Sequence, residues 1–418
     1  MKKSLLASAV LLAIANVSMA ATAGDILDDG VTSDQKYELT GSYDNGVYVT
    51  NVTHSIESES ILVDTWQAAE SQTQGVRVVQ TSSKDSVLNF GKKGVTQKIE
   101  IRVKDQNDYV NNLVMGMIVQ GDKKLADNKE ELNVYTKDLI ISAQSKNGWV
   151  YGIVAQNGTV PESKNSNLSI LNIDADNTYI DVNSGHKDNA TAIVAMSEGI
   201  VNIEGNLFVN TLGGNGQAIL ARGDAVVNIN QSGKHNVVLN GDIAFNFDEK
   251  TSKTPVDAAI NILLKGEGSS WTGNSIVSWD GKVPEKDLEV SQFKLSLNEG
   301  ASWTPTKTAN DDPQESLSGA YYTAMNDLML DGGVVNITGD NIDVTVENMT
   351  GSGTINLAVD GDKAGKFTVE GATDASLDVN LMDAKMENEL SSDDINADQA
   401  KNLLGNVGGE GVATTTEV

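Results

Sequence analysis

The residues that could support hydrolytic chemistry are few and lie far apart in the sequence. The chain contains three histidines, His54, His186 and His235, and no cysteine. A serine hydrolase needs an activated serine beside a histidine base and a carboxylate, yet neither Gly-Asp-Ser-Gly nor Gly-x-Ser-x-Gly occurs in the sequence. A thiol nucleophile is excluded because there is no cysteine. The sequence therefore predicts a protein that is not an enzyme, with no catalytic residue and no cofactor.

Two acidic pairs, Asp174-Ala-Asp176 and Asp311-Asp312, could bind a divalent cation, as the aspartates of β-helix polysaccharide lyases do. Neither pair carries the spaced ligands and turn glycine of a calcium loop. The segment Gly213–Gly216 resembles the start of a calcium-binding nonapeptide, but Ala218 stands where that motif has an aspartate. We therefore expect no metal site.

One tripeptide, Arg222-Gly223-Asp224, could bind a receptor, because such a sequence can engage integrins. It aligns with Met196-Ser197-Glu198 in the preceding repeat, so it also occupies an ordinary turn position. We favour the turn interpretation and keep Arg222, Gly223 and Asp224 as a candidate receptor-binding site.

Composition and the first twenty residues indicate an exported, acidic protein. The 418 residues include 58 acidic and 30 basic side chains, for a net charge of −28. Such acidity argues against binding to nucleic acid or anionic membrane surfaces. Met1–Ala20 has the basic start, short apolar core and small-residue end of a signal peptide, with cleavage between Ala20 and Ala21. Its apolar run is too short for a membrane anchor, and we expect no membrane-spanning segment after cleavage.

Two neighbouring segments, Ala192–Ile203 and Ala218–Ile229, align without a gap at an offset of 26 residues (218 − 192). Each has an apolar run, a polar turn and a second apolar run. The first run also matches Gly116–Gly121 and Gly152–Asn157, at offsets that share no single period. A repeat this short cannot bury its own apolar face, so we expect copies to stack on one another with loops of variable length.

A recurring triplet places one asparagine between two apolar residues, and in a strand that asparagine takes the face opposite to its neighbours. Its members are Asn172, Asn202, Asn228, Asn261, Asn336 and Asn356. Stacked in register, these side chains can form hydrogen-bonded ladders. The alternative is that water solvates each of them independently.

A second pair of matching segments contains tryptophan: Gly268–Thr272 and Gly300–Thr304, at an offset of 32 residues (303 − 271). Two exposed tryptophans could stack on sugars, but we favour aromatic packing at the same corner of two coils. Prolines are excluded from central strands, and they indicate excursions, which we place at 157–167, 248–256, 280–288 and 304–318.

Short strands with alternating apolar residues, joined by turns, predict an all-β fold. We expect a right-handed parallel β-helix (solenoid) followed by a short C-terminal helix or linker. The alternative is an antiparallel β-sandwich array, because hairpin signals occur at Asn45-Gly46 and Asn157-Gly158.

Three segments near the C-terminus carry a more specific likeness: Leu328–Ile337, Val346–Leu357 with its Gly-Ser-Gly-Thr turn, and Lys363–Thr373. Together they resemble the end of the passenger domain in pertactin-like autotransporters. The resemblance implies a right-handed parallel β-helix whose last, autochaperone-like coils help the passenger to fold at the cell surface. It also implies an adhesin-like protein that binds a host cell or matrix receptor or glycan, or that self-associates.

This resemblance sets the expected organisation of the chain. We expect a signal peptide at 1–20, a passenger at 21–385 with autochaperone-like coils at 328–385, and a helical linker and loose tail at 386–418. The membrane barrel with which the family ends is expected to be lacking. The chain would then reach the cell surface or the medium when joined to a translocator barrel, and the periplasm when expressed alone. The competing hypothesis is a β-helix polysaccharide lyase or hydrolase.

Overall fold

The computed structural model is all-β, and almost all of its strand pairings are parallel. It describes residues 23–67, 72–105, 112–121, 129–157, 168–185, 190–212, 216–223, 225–247, 258–279, 291–306, 321–322, 324–391, 393–409 and 411–415. Within these ranges one helix is present, and no helix is long and apolar enough to cross a membrane. The parallel pairing rules out the antiparallel sandwich array as the basis of the fold.

The first sheet contains ten strands, and each is hydrogen-bonded to the strand of this sheet that follows it along the chain. They are β1 (Ala23–Leu27), β4 (Asn45–Thr50), β7 (Gln72–Val79), β10 (Leu113–Gln120), β12 (Trp149–Gln156), β14 (Ala190–Met196), β16 (Gln217–Arg222), β19 (Asp242–Phe247), β22 (Ser275–Trp279) and β25 (Tyr321–Tyr322). Every pairing in this sheet is parallel except the last, between β22 and β25.

The remaining strands lie between those of the first sheet along the chain or after them, and they form a second network of pairings. They are β2 (Gly30–Thr32), β3 (Lys36–Ser42), β5 (Thr53–Ile56), β6 (Ser60–Gln67), β8 (Ser86–Phe90), β9 (Lys98–Asp105), β11 (Glu130–Ser145), β13 (Ser169–Ser184), β15 (Ile200–Leu212), β17 (Val226–Ile229), β18 (Val237–Asn240), β20 (Ala258–Lys265), β21 (Ser270–Thr272), β23 (Ser291–Asn298), β24 (Ser302–Thr304), β26 (Ala324–Ile337), β27 (Asp343–Asp360), β28 (Lys363–Ala364), β29 (Lys366–Met382), β30 (Val407–Gly409) and β31 (Val412–Thr415).

Long strands join two columns of short strands in this second sheet. The strand β15 pairs with both β17 and β18. One column continues from β17 through β20 to β23, and the other continues from β18 through β21 to β24. Both columns end on β26, which pairs with β23 and with β24. The pairings therefore form a closed circuit of parallel strands. The same arrangement recurs earlier in the chain, where β8 and β9 both pair with β11.

Register confirms the sequence repeats residue by residue. In the first sheet Ile193 pairs with Ile219, and in the second sheet Val201 pairs with Val227. Both pairs have the offset of 26 residues that the two aligned segments predict. The upstream match is also confirmed, because Ile153 pairs with Ile193.

Glycines in the first sheet allow successive strands to approach closely at one position of the repeat. A Cβ atom on Gly116 would lie 2.4 Å from the carbonyl oxygen of Gly152, and one on Gly152 would lie 2.5 Å from that of Ala192. Those distances are too short for any real side chain, so glycine is required where the repeat begins with it.

The core runs through the whole molecule between the sheets. It consists almost entirely of Val, Ile, Leu and Ala from alternate strand positions, most of them fully buried. Each strand contributes only a few such residues, and they pack against those of the strands paired with it, so the core is continuous along the stacked strands.

A second, smaller apolar cluster lies on the opposite face of the first sheet, so that β10, β12 and β14 are buried on both faces. Its members are Leu113, Met115, Ile118, Tyr151, Val154, Val194 and Met196.

The excursions expected from the prolines fall almost wholly outside the described residues, and most of these ranges adjoin strands of the first sheet.

The C-terminal region closes the end of the core. The helix α1 (Ala397–Leu404) begins after Asn396, whose side chain accepts a hydrogen bond from the backbone N–H of Gln399 at 3.0 Å. Ala400 and Leu403 are buried in the core. The sequence predicted a helix here but a loose tail after it, whereas β30 and β31 both pair with β29. The described part of the tail therefore continues the parallel ladder as far as Thr415.

Candidate ligand-binding surface

The first two residues of the candidate receptor tripeptide lie at the end of β16, and their backbone is hydrogen-bonded to the turn at Ser197 and Glu198. The carbonyl of Arg222 accepts a hydrogen bond from the N–H of Ser197 at 2.8 Å, and that of Gly223 accepts one from Glu198 at 3.2 Å. Gly223 has a φ of +53°, which favours glycine. Asp224 lies outside the described residues, so receptor binding by this tripeptide stays a prediction.

Several other predicted residues lie outside the described ranges as well. They are Ala20 and Ala21 at the expected cleavage site, His186, and the acidic pair Asp311-Asp312.

Two of the predicted candidates lie within the described residues and make structural contacts: His54 and the acidic pair Asp174-Ala-Asp176. His54 Nε2 lies 3.0 Å from Thr32 Oγ1, and His54 Nδ1 lies 2.5 Å from the carbonyl oxygen of Asp28. Asp174 accepts a hydrogen bond from Lys93 Nζ at 2.8 Å. Across the described ranges, no group of three or more His, Cys, Asp or Glu side chains could hold a metal ion.

The repeated tryptophans are core residues, as the favoured interpretation predicted. Trp271 and Trp303 are fully buried, and their rings stack with centroids 5.0 Å apart and planes 4° from parallel. Each indole N–H donates to a backbone carbonyl at 3.0 Å, from Trp271 to Gly241 and from Trp303 to Gly273. The N–H groups of these indoles have hydrogen-bond partners inside the protein, and the buried rings are not accessible to a ligand.

Asparagine ladders run along the second sheet, and they include all six predicted residues. In the longer ladder each Nδ2 after that of Asn89 donates to the Oδ1 of the asparagine on the preceding paired strand, at 2.8 to 3.2 Å. The Nδ2 of Asn89 donates to Ser55 Oγ at 3.1 Å. Its members are Asn89, Asn133, Asn172, Asn202, Asn228 and Asn261. The shorter ladder runs from Asn380 through Asn356 and Asn336 to Thr304. The stacked arrangement, rather than independent solvation, is the one observed.

A different aromatic pair lies on the outer face of the second sheet. Tyr179 on β13 pairs in register with Phe208 on β15, and their rings stack with centroids 4.9 Å apart and planes 10° from parallel. Tyr179 is 41% exposed. The neighbours of Tyr179 in its strand, Thr178 and Ile180, point inward and are buried. Phe208 is partly exposed. An aromatic pair that solvent can reach on the outer face is a candidate contact for a ligand.

Polar side chains flank this aromatic pair on both sides. We call the whole area the Tyr179–Phe208 surface; it comprises Asp138, Asn177 and Asn206 on one side, Ile140, Tyr179, Phe208 and Val238 in the centre, and Ser142, Asp181, Asn210 and Asn240 on the other. On the first side Asn177 donates to Asp138 at 2.8 Å, and Asn206 donates to Asn177 at 3.0 Å. On the other, Asn210 donates to Asp181 at 3.3 Å.

Sequence analysis missed this surface, although a weak signal was present. Asn177–Asn183 and Asn206–Leu212 align at an offset of 29 residues (208 − 179), whereas the asparagine triplets beside them align at 30 (202 − 172). The register shifts by one residue between Asp174 and Asn177. This irregularity in the ladder breaks the period and conceals the aromatic match.

A shallow polar cleft of about 330 Å³ borders the Tyr179–Phe208 surface. It is lined by Lys104, Asp105, Gln144, Ser145, Lys146, Asn183 and Gly185. Gln144 and Asn183 continue the strands β11 and β13 two residues past Ser142 and Asp181, so they share the same outer face. Within the cleft, Ser145 Oγ donates to Asp105 Oδ2 at 2.9 Å.

Chemically, this face can offer ring surfaces, amide groups that both donate and accept, and carboxylates that accept hydrogen bonds. Those groups suit recognition of a polar ligand with an apolar side. Comparisons with known proteins add no relative to this description. No protein-family model, curated protein or solved structure matches the chain.

Proposed function

We propose that the chain is an adhesin-like passenger of the autotransporter type, surface-exposed or secreted, that binds a host or matrix component or self-associates. The observation that carries this proposal is the stacked Tyr179–Phe208 pair, which lies on the outer face with polar side chains on both sides of it. Large apolar groups grouped on an exposed face are typical of interaction sites. The signal peptide predicted at 1–20 and the likeness of residues 328–382 to pertactin-like passengers support export and the passenger role.

The architecture proposed for this passenger is a right-handed parallel β-helix. Strands of the first sheet pair with strands one repeat later, and strands of the second sheet do the same, at offsets that vary with loop length. One solenoid with the two sheets running along its length accounts for the pairings within each sheet and for the core between the sheets. The closed circuit of pairings arises in this picture where two short strands of one coil stack on one long strand of the next.

The proposal is tested with purified residues 21–418 on cultured host cells, on immobilised matrix proteins and in a sedimentation assay for self-association. We expect saturable binding to at least one of these, and weaker binding by a Tyr179→Ala variant. If the unaltered chain binds none of them, and instead releases products from a polysaccharide, the adhesin proposal is wrong.

The second candidate function is a β-helix polysaccharide lyase or hydrolase. It is favoured by the polar cleft, where Asp105 lies with Lys104 and Lys146 beside an exposed aromatic pair. A carboxylate and a basic group in one cleft are the minimum for proton transfer to and from a sugar. Incubation with a panel of polysaccharides, followed by assays for reducing ends and for unsaturated products, distinguishes this candidate. Activity that is lost in an Asp105→Asn variant would support it.

A further inference from the structure

We infer that the Tyr179–Phe208 surface is a binding site for a neutral glycan chain. This inference rests on the proposed adhesin-like function and names the ligand class for it. It follows from three features of the surface: which ring faces are open, which hydrogen-bonding groups surround them, and which charges are present.

Each of the two rings has one face that is not covered by the other ring, and the outer part of that face is where a ligand could make contact. Their separation of 4.9 Å is close to the spacing between paired strands, so the rings lie face to face along the direction in which the strands stack. The next residues in that direction are Ile140, paired with Tyr179, and Val238, paired with Phe208. Both side chains are shorter than an aromatic ring. The outer faces of Tyr179 and Phe208 therefore overhang two shallow ledges.

The groups beside these ledges match the two kinds of surface on a sugar. One side of a pyranose ring is made of C–H groups, and an aromatic face contacts such apolar surface well. The hydroxyl groups around the ring both donate and accept hydrogen bonds, as do asparagine amides. Asn177 and Asn206 lie on one side of the rings, and Asp181 and Asn210 lie on the other. The existing bonds among these side chains hold them in place and leave carboxylate and amide oxygens with further accepting capacity.

An extended peptide fits this surface less well. Peptides commonly bind sheets by adding a strand to an unpaired edge. The strands β13 and β15 are interior strands, since β13 is paired with β11 and β15, and β15 with β18. No backbone edge is therefore offered where the rings lie, and recognition has to come from side chains.

Charge selects neutral chains over acidic ones. The surface carries two carboxylates, Asp138 and Asp181, and no lysine or arginine among its eleven residues. The adjoining strand β9 adds two basic residues, Lys98 and Arg102, but both are ion-paired with Glu100 on the same strand. Two further lysines lie in the bordering cleft together with Asp105. The chain as a whole has a net charge of −28. An acidic polysaccharide would be repelled both by the nearby carboxylates and by the overall field. A neutral chain of hexoses or N-acetylhexosamines is subject to neither repulsion.

The test uses purified residues 21–418 on an array of neutral and acidic oligosaccharides, followed by calorimetric titration with the neutral oligosaccharide that binds best. We expect neutral chains to bind, and Tyr179→Ala or Phe208→Leu to weaken the binding by at least about tenfold. Phe208→Leu keeps apolar cover but removes the ring face. The matched control is Tyr135→Ala, which removes a partly exposed aromatic residue of β11 outside the surface. It should leave binding unchanged.

The outcomes separate this inference from the proposed function. If no neutral oligosaccharide binds, if only acidic ones bind, or if the Tyr179 and Phe208 variants bind as well as the unaltered chain, the glycan inference is overturned. Cell or matrix binding that persists in these variants would leave the adhesin proposal standing on another surface. Thermal unfolding of each variant, compared with that of the unaltered chain, shows whether any loss is due to misfolding.

Discussion

Two stacked aromatic pairs in this molecule have nearly the same geometry and opposite environments. Trp271 and Trp303 lie 5.0 Å apart in the core with their indole N–H groups satisfied by backbone carbonyls. Tyr179 and Phe208 lie 4.9 Å apart on the outer face, with Tyr179 41% exposed. The spacing of the strands produces both stacks, so stacking alone does not distinguish a packing residue from a binding residue.

The difference comes from the side of the strand on which each aromatic residue falls. Alternate side chains point to opposite faces of a strand. Tyr179 lies between the buried residues Thr178 and Ile180, so it points outward, whereas Trp271 itself occupies an inward position. The inner pair contributes to stability and the outer pair is free to contact a ligand.

The largest effect is expected when the end of the core is removed. A chain that ends at Asp327 loses most of β26 and all of β27 and β29, which cover the coil containing Trp303. It should aggregate or be digested rapidly, because an apolar cross-section and unpaired strand edges are uncovered. Limited proteolysis against the full chain measures this. Equal resistance of the two chains would show that the core does not need its terminal coils.

A chain that ends at Asp383 sharpens the same test. From the sequence, such a chain is expected to stay folded. The structure predicts an intermediate result, because Ile395, Leu403 and Val407 bury apolar surface against the last coil. Its proteolytic half-life should lie between those of the full chain and of the chain ending at Asp327.

The next largest effect is expected from Trp303→Ala. Removing a fully buried large aromatic side chain costs about 3–5 kcal/mol of the free energy of unfolding, and it also removes the stack with Trp271. The matched outer change, Tyr179→Ala, should cost less than about 1 kcal/mol, as is usual for surface positions. Urea unfolding followed by circular dichroism measures both. Similar losses for the two variants would contradict the assigned inner and outer roles.

A smaller loss is expected from breaking the longer asparagine ladder in its middle. Asn202 donates to Asn172 at 2.8 Å and accepts from Asn228 at 2.9 Å, so Asn202→Ala removes two hydrogen bonds. Each contributes about 1 kcal/mol, and we expect a loss of about 1–2 kcal/mol. The control is Asn210→Ala, which removes one bond at an exposed position. If both substitutions lower the free energy of unfolding by the same amount, the ladder contributes no more to stability than independently solvated amides would.

The smallest effect concerns buried hydroxyl groups at alkaline pH. Burial raises the pKa of Tyr151 well above its ordinary value, and burial together with a hydrogen bond to Asp25 does the same for the pKa of Tyr37. The folded state therefore favours the protonated phenols. Their contribution to stability is fully present below about pH 10, the ordinary pKa of tyrosine, and is lost as the pH rises above it.

This dependence is measured by urea unfolding at pH values from neutral to strongly alkaline. Tyr151→Phe and Tyr37→Phe should each reduce the slope with which stability falls above about pH 10. A slope that is the same with and without these hydroxyl groups would mean that other groups control the alkaline transition.

The sequence allowed the all-β class and the local strand pairing to be predicted, because both depend on short-range patterns. The alignment of Ile193 with Ile219 and the inward packing of Trp271 follow from repeated segments of unchanged length. The Tyr179–Phe208 surface could not be predicted in the same way. A one-residue register shift after Asp174 changes the offset between coils, and the flanking polar residues are brought together only by strand pairing.

The C-terminal tail contains two short strands that its composition does not indicate, for a different physical reason. Val407–Gly409 and Val412–Thr415 are short, rich in glycine and threonine, and weakly patterned, so their composition is typical of a loop. They form strands because the exposed edge of β29 offers backbone partners. An edge that is already in place can order a segment whose own propensity for a strand is low.

The most direct test of the central claim compares the outer and inner aromatic pairs in one binding assay. The unaltered residues 21–418, a Tyr179→Ala, Phe208→Leu double variant and a Trp303→Phe variant are titrated onto the cells or matrix that the unaltered chain binds. The account predicts that the double variant binds at least about tenfold more weakly, while Trp303→Phe binds like the unaltered chain. Equal binding by all three proteins, each shown to be folded at the assay temperature, would contradict the claim that the Tyr179–Phe208 surface is the binding surface.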